Sequence, residues 1–97
     1  MKMISFAWDR TKAESNLKKH KISFEEAQTV FSDPNARMIF DPEHSGGEDR
    51  FILFGLSSGL RLIVICHCYI EDDMAIRIIS ARKANKNEQK QYGSFLL

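Results

Sequence analysis

The spacing of hydrophobic and polar residues changes from helical to extended about a third of the way along the chain. In the first third, apolar residues alternate with small ones and predict a strand over 4–8. Good helix formers predict a surface helix over 11–20, which has an acidic N-cap and a lysine-rich face. Ser23 followed by Glu26 forms a capping-box pattern. It predicts a second helix, which ends before Pro34.

The rest of the chain is mostly extended. The alternating pattern predicts four strands, over 37–41, 50–56, 60–70 and 75–82. Short turns connect them, so neighbouring strands should pair antiparallel. A short helix capped by Asn85 follows. The sequence thus predicts a single α+β domain over residues 1–97, with a twisted, mainly antiparallel sheet, two N-terminal helices on one face and a short C-terminal helix. The other sheet face should be open or covered by something else, and function is expected there.

Two strands carry charged or polar residues within apolar surroundings. The predicted strand 60–70 has one wholly apolar face, and its other face carries His67. On the last strand, strict alternation places Arg77 and Arg82 on opposite faces, so one of them interrupts a buried surface. A buried guanidinium needs an anionic partner, which is either a carboxylate or a bound phosphate. The candidate carboxylates are Glu48, Asp49 and Glu88.

The net charge of +1 conceals an uneven distribution. Residues 10–21 and 77–92 each hold five basic residues and one acid, whereas 22–76 holds three arginines and ten acids. Two basic segments could therefore converge on an anionic partner. No apolar run reaches the roughly 20 residues that span a bilayer, and no signal-peptide pattern is present. We expect a cytoplasmic protein that does not bind membranes.

Signatures of metal and cofactor chemistry are missing from the sequence. The three histidines, His20, His44 and His67, do not share the spacing of ligands at one tetrahedral centre. Cys66 and Cys68 lie two apart on one predicted strand and do not indicate a disulfide. No glycine-rich phosphate loop or nucleophile elbow occurs either. We therefore expect no metal and no cofactor.

Several segments together resemble the BrnT family of type II toxins over nearly the whole chain. The segments are Phe6-Ala7-Trp8-Asp9 with Lys12 and Asn16, residues 19–27 (KHKISFEEA), residues 30–33 (VFSD), Asp41 with His44, Ser45, Glu48 and Arg50, then Gly55, residues 76–84 (IRIISARKA), Glu88 and Tyr92.

This resemblance implies a RelE-like fold and a growth-inhibiting RNA endonuclease that needs neither a ribosome nor a metal. It also implies a BrnA-type antitoxin, in a heterotetramer of two toxins and two antitoxins, with operator DNA bound only through the antitoxin. The alternative is a catalytically inactive RelE-like binding module that acts only through its antitoxin partner.

RNA cleavage without metal uses the 2′-hydroxyl of the substrate, so the protein must move protons and stabilise a charged phosphorane. The residues that we expect to do this are Arg77, Arg82, Arg50, Glu48, His44 and His20. A further candidate for proton transfer, His67, ranks lower because it lies outside the most recognisable motif segments. The expected RNA-binding residues are Lys18, Lys19, Lys83 and Tyr92.

Overall fold

The computed structural model describes residues 4–41, 48–72 and 74–94, which form a five-stranded sheet and three α-helices. The elements are β1 (Ser5–Ala7), α1 (Arg10–His20), α2 (Phe24–Thr29), a 3-10 turn (Val30–Ser32), β2 (Arg37–Asp41), β3 (Arg50–Leu56), β4 (Leu62–Ile70), β5 (Ala75–Lys83) and α3 (Lys86–Ser94). The predicted α+β class is confirmed. None of the described helices is long and apolar enough to cross a membrane.

The strands are ordered β1-β5-β4-β3-β2 across the sheet. β2 to β5 form an antiparallel meander, as their short connections predict. β1 pairs parallel with β5, a pairing that the sequence pattern did not indicate. The two edges of the sheet are therefore the short strand β1 and the strand β2.

The predicted helix N-caps are present, although one capping box is only half formed. Asp9 accepts a hydrogen bond from the Thr11 amide at 2.9 Å, and Ser23 accepts one from the Glu26 amide at 3.0 Å. The Glu26 carboxylate does not close the box but binds the guanidinium of Arg61, which lowers the pKa of Glu26. The long-range ion pair is therefore formed instead of the local one that the pattern predicts.

The hydrophobic core lies between α2 with its 3-10 turn and one face of the sheet. The core residues are Ile22, Phe24, Ala27, Val30, Leu53, Ile63, Ile65, Ile78 and Ala81. On β4 the helix-facing side is thus the one that carries His67. The wholly apolar side of that strand lies on the opposite face of the sheet, away from α2.

His67 is a core residue with no exposed surface. Its ring makes edge contacts with Phe31, at a centroid distance of 4.9 Å, and with Tyr69, at 5.4 Å. Burial lowers its pKa to about 4, so the imidazole is neutral near pH 7. This packing position removes His67 from the candidates for proton transfer.

A buried asparagine fixes α1 against the edge of β5. The Asn16 side chain donates to the Ala81 carbonyl at 2.9 Å and accepts from the Ala81 amide at 3.0 Å. It also donates to the Ile22 carbonyl at 3.0 Å. β1 pairs with β5 only as far as Arg77, so beyond that point Asn16 occupies the place of a neighbouring strand.

Replacing Asn16 with Ala should destabilise the fold by roughly 1–3 kcal/mol or more, because the Ala81 backbone amide and carbonyl would lose their partners at a buried edge. Chemical denaturation measures this loss. The exposed neighbour provides the control, since Ser15→Ala should leave the free energy of unfolding nearly unchanged. Equal stability of the two variants would contradict the role given to Asn16.

The buried imidazole predicts acid sensitivity. The unfolded chain protonates His67 below pH 6.5 whereas the folded chain does so only near pH 4, so stability falls between these values and then levels off. The corresponding change in the free energy of unfolding is about 3 kcal/mol. The variant His67→Phe keeps an aromatic ring at this site, and its free energy of unfolding should not show this fall. Denaturation at pH 7, 6 and 5 measures the fall in both proteins. An equal fall in the two proteins would contradict the prediction.

Candidate functional site

A β-bulge in β5 brings the two candidate arginines to one face of the sheet. The register between β4 and β5 shifts between Cys66 and His67, which leaves Ile79 as an extra residue. Arg77 and Arg82 therefore lie on the same side, and the prediction that alternation separates them is wrong. Strict alternation holds only for an unbroken strand.

This face of the sheet lies opposite the core, and we refer to it as the arginine face. Three cross-strand rows of residues form it: Arg77, Cys68, Arg50 and Asp41; Ser80, Cys66, Ile52 and Ile39; Arg82, Val64, Phe54 and Arg37. Each outer row holds two arginines. The middle row is uncharged. The predicted arginines of β3 and β5 therefore share one surface.

Carboxylates hold two of these arginines in place. Arg77 donates to both oxygens of Glu48 at 2.6 Å, and Arg82 makes two bonds to Glu88, at 2.9 and 3.0 Å. Of the three candidate carboxylates, Glu48 and Glu88 thus form ion pairs with these arginines. The Arg82 and Arg77 side chains remain 45% and 40% exposed, so both reach the protein surface.

Glu88 belongs to a local structure that fixes its position. It exchanges two hydrogen bonds of 2.8 Å with Asn85, which form the reciprocal capping box of α3. The bonds from Arg82 lower the pKa of Glu88, so it stays a carboxylate at neutral pH. Glu88 therefore orients Arg82 and does not act as a proton donor.

In the row that contains Arg77, the charged side chains lie close together. Cys68 is fully buried beneath the charged groups of its row, and this burial raises the pKa of its thiol. Arg77, Arg50 and Glu48 all lie near that thiol. The structure thus brings three of the predicted catalytic side chains together at one end of the arginine face.

The C-terminal turn of α1 adds an imidazole to the arginine face. Since Asn16 faces the edge of β5, His20 one turn later faces the same edge. His20 lines a cavity of about 130 Å³ together with Ser80, Arg82 and Cys66. Burial raises the pKa of the Cys66 thiol, which therefore remains protonated. We refer to this group as the His20 cavity.

A basic groove continues from the His20 cavity along α1 and β5. Two further cavities, of about 320 and 230 Å³, follow this boundary. Lys19 and Lys12 line the first of them, and Lys12 and Arg77 line the second. Sequence reasoning did not assign Lys12 a role. Lys12 lies four residues from Asn16 and eight from His20, so a helix places all three on one side. This spacing could have indicated from the sequence that Lys12 belongs to the site.

Three other predicted residues lie away from this groove or outside the described residues. Lys18 is two positions from Asn16 and so points to the other side of α1. Lys83 pairs with Ile63 and faces the helix-covered side of the sheet. His44 lies outside the residues that the structure describes.

Tyr92 is 6% exposed and packs inside the protein. Its ring contacts Phe54 edge-on at 5.7 Å, and its hydroxyl donates to Asp33 at 2.7 Å. Burial and the Asp33 carboxylate raise the pKa of Tyr92 to about 12. No ring face is open to a nucleic-acid base in this arrangement, and the contacts instead attach α3 to the rest of the fold.

The site can move a proton and stabilise an anion. An imidazole, a hydroxyl and a guanidinium meet in the His20 cavity, and further cations line the groove beside it. Such a set suits a phosphate-containing ligand. Within the described residues, no group of three or more His, Cys, Asp or Glu side chains could hold a metal ion.

Comparison with known proteins gives one family and one fold. Residues 8–88 match the sequence model of the family described as ribonuclease toxin, BrnT, of type II toxin-antitoxin system. The fold matches the 1.1 Å crystal structure of the Brucella abortus ribonuclease toxin BrnT, with a TM-score of 0.63 and 22% identity. That match covers 87% of this chain and 100% of the other. No curated protein sequence matches significantly.

Removing the Tyr92 hydroxyl tests its assignment to packing. Tyr92→Phe should lower the free energy of unfolding by about 1.5–3 kcal/mol, because a hydrogen bond to a charged carboxylate is lost. A part in RNA binding, which was expected from the sequence, predicts instead a weaker RNA affinity in fluorescence anisotropy. Unaltered stability together with weakened RNA binding would contradict the packing role.

Proposed function

The chain belongs to the family of BrnT ribonuclease toxins of type II toxin-antitoxin systems, and on that premise we propose that it cleaves RNA at the His20 cavity. In this proposal it is an endonuclease of RelE-like type that acts on free RNA, without a ribosome and without a metal ion. Its cleavage of RNA would stop translation and growth.

The observation that carries the proposal is the meeting of His20 and Arg82 around one small cavity on the arginine face. These residues are distant in sequence and come from a helix and a strand. An imidazole can accept the proton of the attacking 2′-hydroxyl or donate one to the leaving 5′-oxygen. A guanidinium stabilises the negative charge that develops on the phosphorane. Together they provide the two functions that metal-free RNA cleavage requires.

The remaining charged residues suit the binding of a single RNA strand. Lys19 and Lys12 line the groove that leads away from the His20 cavity, and Arg77 lies at its far end. The rows of Arg77 and Arg82 are four β4 residues apart, or about 13 Å. We assign Arg77 and Arg50 to phosphates further along the strand than the one that is cleaved. Glu48 then acts as a positioning residue for Arg77.

Membership of a type II system implies an antitoxin partner. We propose that this antitoxin is of BrnA type, that it neutralises the toxin in a complex of two toxins and two antitoxins, and that it supplies all contacts to operator DNA. The acidic middle segment of this chain does not suit direct DNA binding. We expect the complex in the cytoplasm, where its RNA substrate is found.

Cleavage of a long single-stranded RNA by the purified chain tests this function. His20→Ala and Arg82→Ala should each reduce the cleavage rate by about 100-fold or more, because each removes a group that acts in the transition state. Addition of a chelator should not change the rate of the unmodified protein. Product bands resolved on a gel measure both effects.

The control for charge is Arg10→Ala, which also removes one guanidinium. The Arg10 side chain is 93% exposed and lies outside the groove. This variant should cleave at the unmodified rate, and thermal unfolding should show that all variants are folded. Full activity of both site variants would place catalysis elsewhere. Absence of cleavage by the folded, unmodified chain would favour a binding module that acts only through its antitoxin.

A further inference from the structure

The edge strand β2 exposes apolar residues on both of its sides. Met38 is 50% exposed, Ile39 61% and Phe40 49%. Beyond β2 no described strand continues the sheet, so its outer backbone edge is available for pairing. An exposed apolar edge of this kind commonly pairs with another strand.

The opposite side of the sheet differs, because there β5 is covered by the short edge strand β1 and by a side chain of α1. β1 covers β5 up to Arg77, and the Asn16 side chain occupies the backbone groups of Ala81 beyond it. β2 also keeps an unbroken register with β3 over all five of its residues, with no bulge to turn its edge away. The exposed strand is therefore regularly paired along its whole length.

The sequence of β2 is complementary to itself when read antiparallel. It reads Arg-Met-Ile-Phe-Asp, with opposite charges at its two ends and Ile39 at its centre. If a two-fold axis passes beside Ile39, Arg37 faces Asp41 of the second copy and Met38 faces Phe40 of the second copy. Residues directly opposite in antiparallel strands lie on the same face, so each pair is in contact.

We propose that two copies of this chain associate through β2, in antiparallel register centred on Ile39, to form one continuous ten-stranded sheet. Each copy contributes the same strand, as a two-fold interface requires. The two charged pairs lie on the arginine face, and the methionine-phenylalanine pairs lie on the other face, where a sulfur-aromatic contact is favourable. Arg37 and Asp41 keep the interactions that they have within their own chain.

Charge complementarity favours a second copy over any other occupant. A second copy of β2 places an acid opposite Arg37 and a base opposite Asp41, and both come from one segment of this chain. The proposed contact leaves the His20 cavity open, because the residues that line that cavity come from α1, β3, β4 and β5 and none comes from β2. The association is independent of the proposed cleavage reaction.

Analytical ultracentrifugation of the full chain over a range of concentrations tests the interface. The unmodified chain should show a monomer-dimer equilibrium. Ile39→Lys, which brings two ammonium groups together at the two-fold axis, should weaken the dimer at least about tenfold. The matched control is Leu60→Lys, which changes an apolar residue that is 79% exposed in a turn and should have no effect.

Charge reversal tests the register. Arg37→Asp and Asp41→Arg should each weaken self-association, since each places like charges opposite one another. An equimolar mixture of the two variants should restore the dimer, because every facing pair is then of opposite sign. Circular dichroism checks that each variant is folded.

A strictly monomeric unmodified chain would overturn the proposal. So would a dimer that survives Ile39→Lys, or a mixture of the charge variants that stays monomeric. A monomeric chain whose antitoxin binding is lost in Ile39→Lys would assign the edge to the antitoxin instead.

Discussion

The site depends on one side chain that bonds a helix to a strand edge. Asn16 occupies the backbone donor and acceptor of Ala81 where β1 no longer covers β5. This fixes both the distance and the rotation of α1 relative to the sheet. Because the contact is buried, solvent cannot replace its hydrogen bonds, and the helix has one favoured orientation. Lys12 and His20, one turn before and after Asn16, consequently border the groove.

The other half of the site depends on an irregularity in β5. The bulge at Ile79 reverses the alternation of the strand, so that Arg77 and Arg82 face the same solvent-accessible surface. Each guanidinium is then oriented by a carboxylate that reaches it from a different segment of the chain. Ion pairs of this half-exposed kind contribute little to stability. In the proposed function, their value lies in holding two cations in defined positions on the surface that binds the RNA phosphates.

The two sides of the sheet differ in structure. On one side, a short strand and an asparagine cover the backbone of β5, and the groove follows the boundary between α1 and this strand. On the other, β2 leaves its edge and its apolar side chains exposed. A toxin of a type II system must be recognised by its antitoxin as well as act on its substrate. The separation of the two edges allows association at one side while the arginine face stays accessible.

The sequence alone determined the order and type of the elements, because periodicity, caps and turns are local properties. It also indicated the family, and through it His20, Arg77 and Arg82. The chain pattern could not determine which face of β4 meets the helices, since both faces are largely apolar. The alternating pattern placed Arg77 and Arg82 on opposite faces, which is wrong because β5 contains a bulge. A bulge depends on the pairing of β5 with β4, and the sequence of β5 alone does not reveal it. The burial of Tyr92 and His67, and the groove beside Lys12, were decided only by tertiary packing, which joins residues that no local pattern relates.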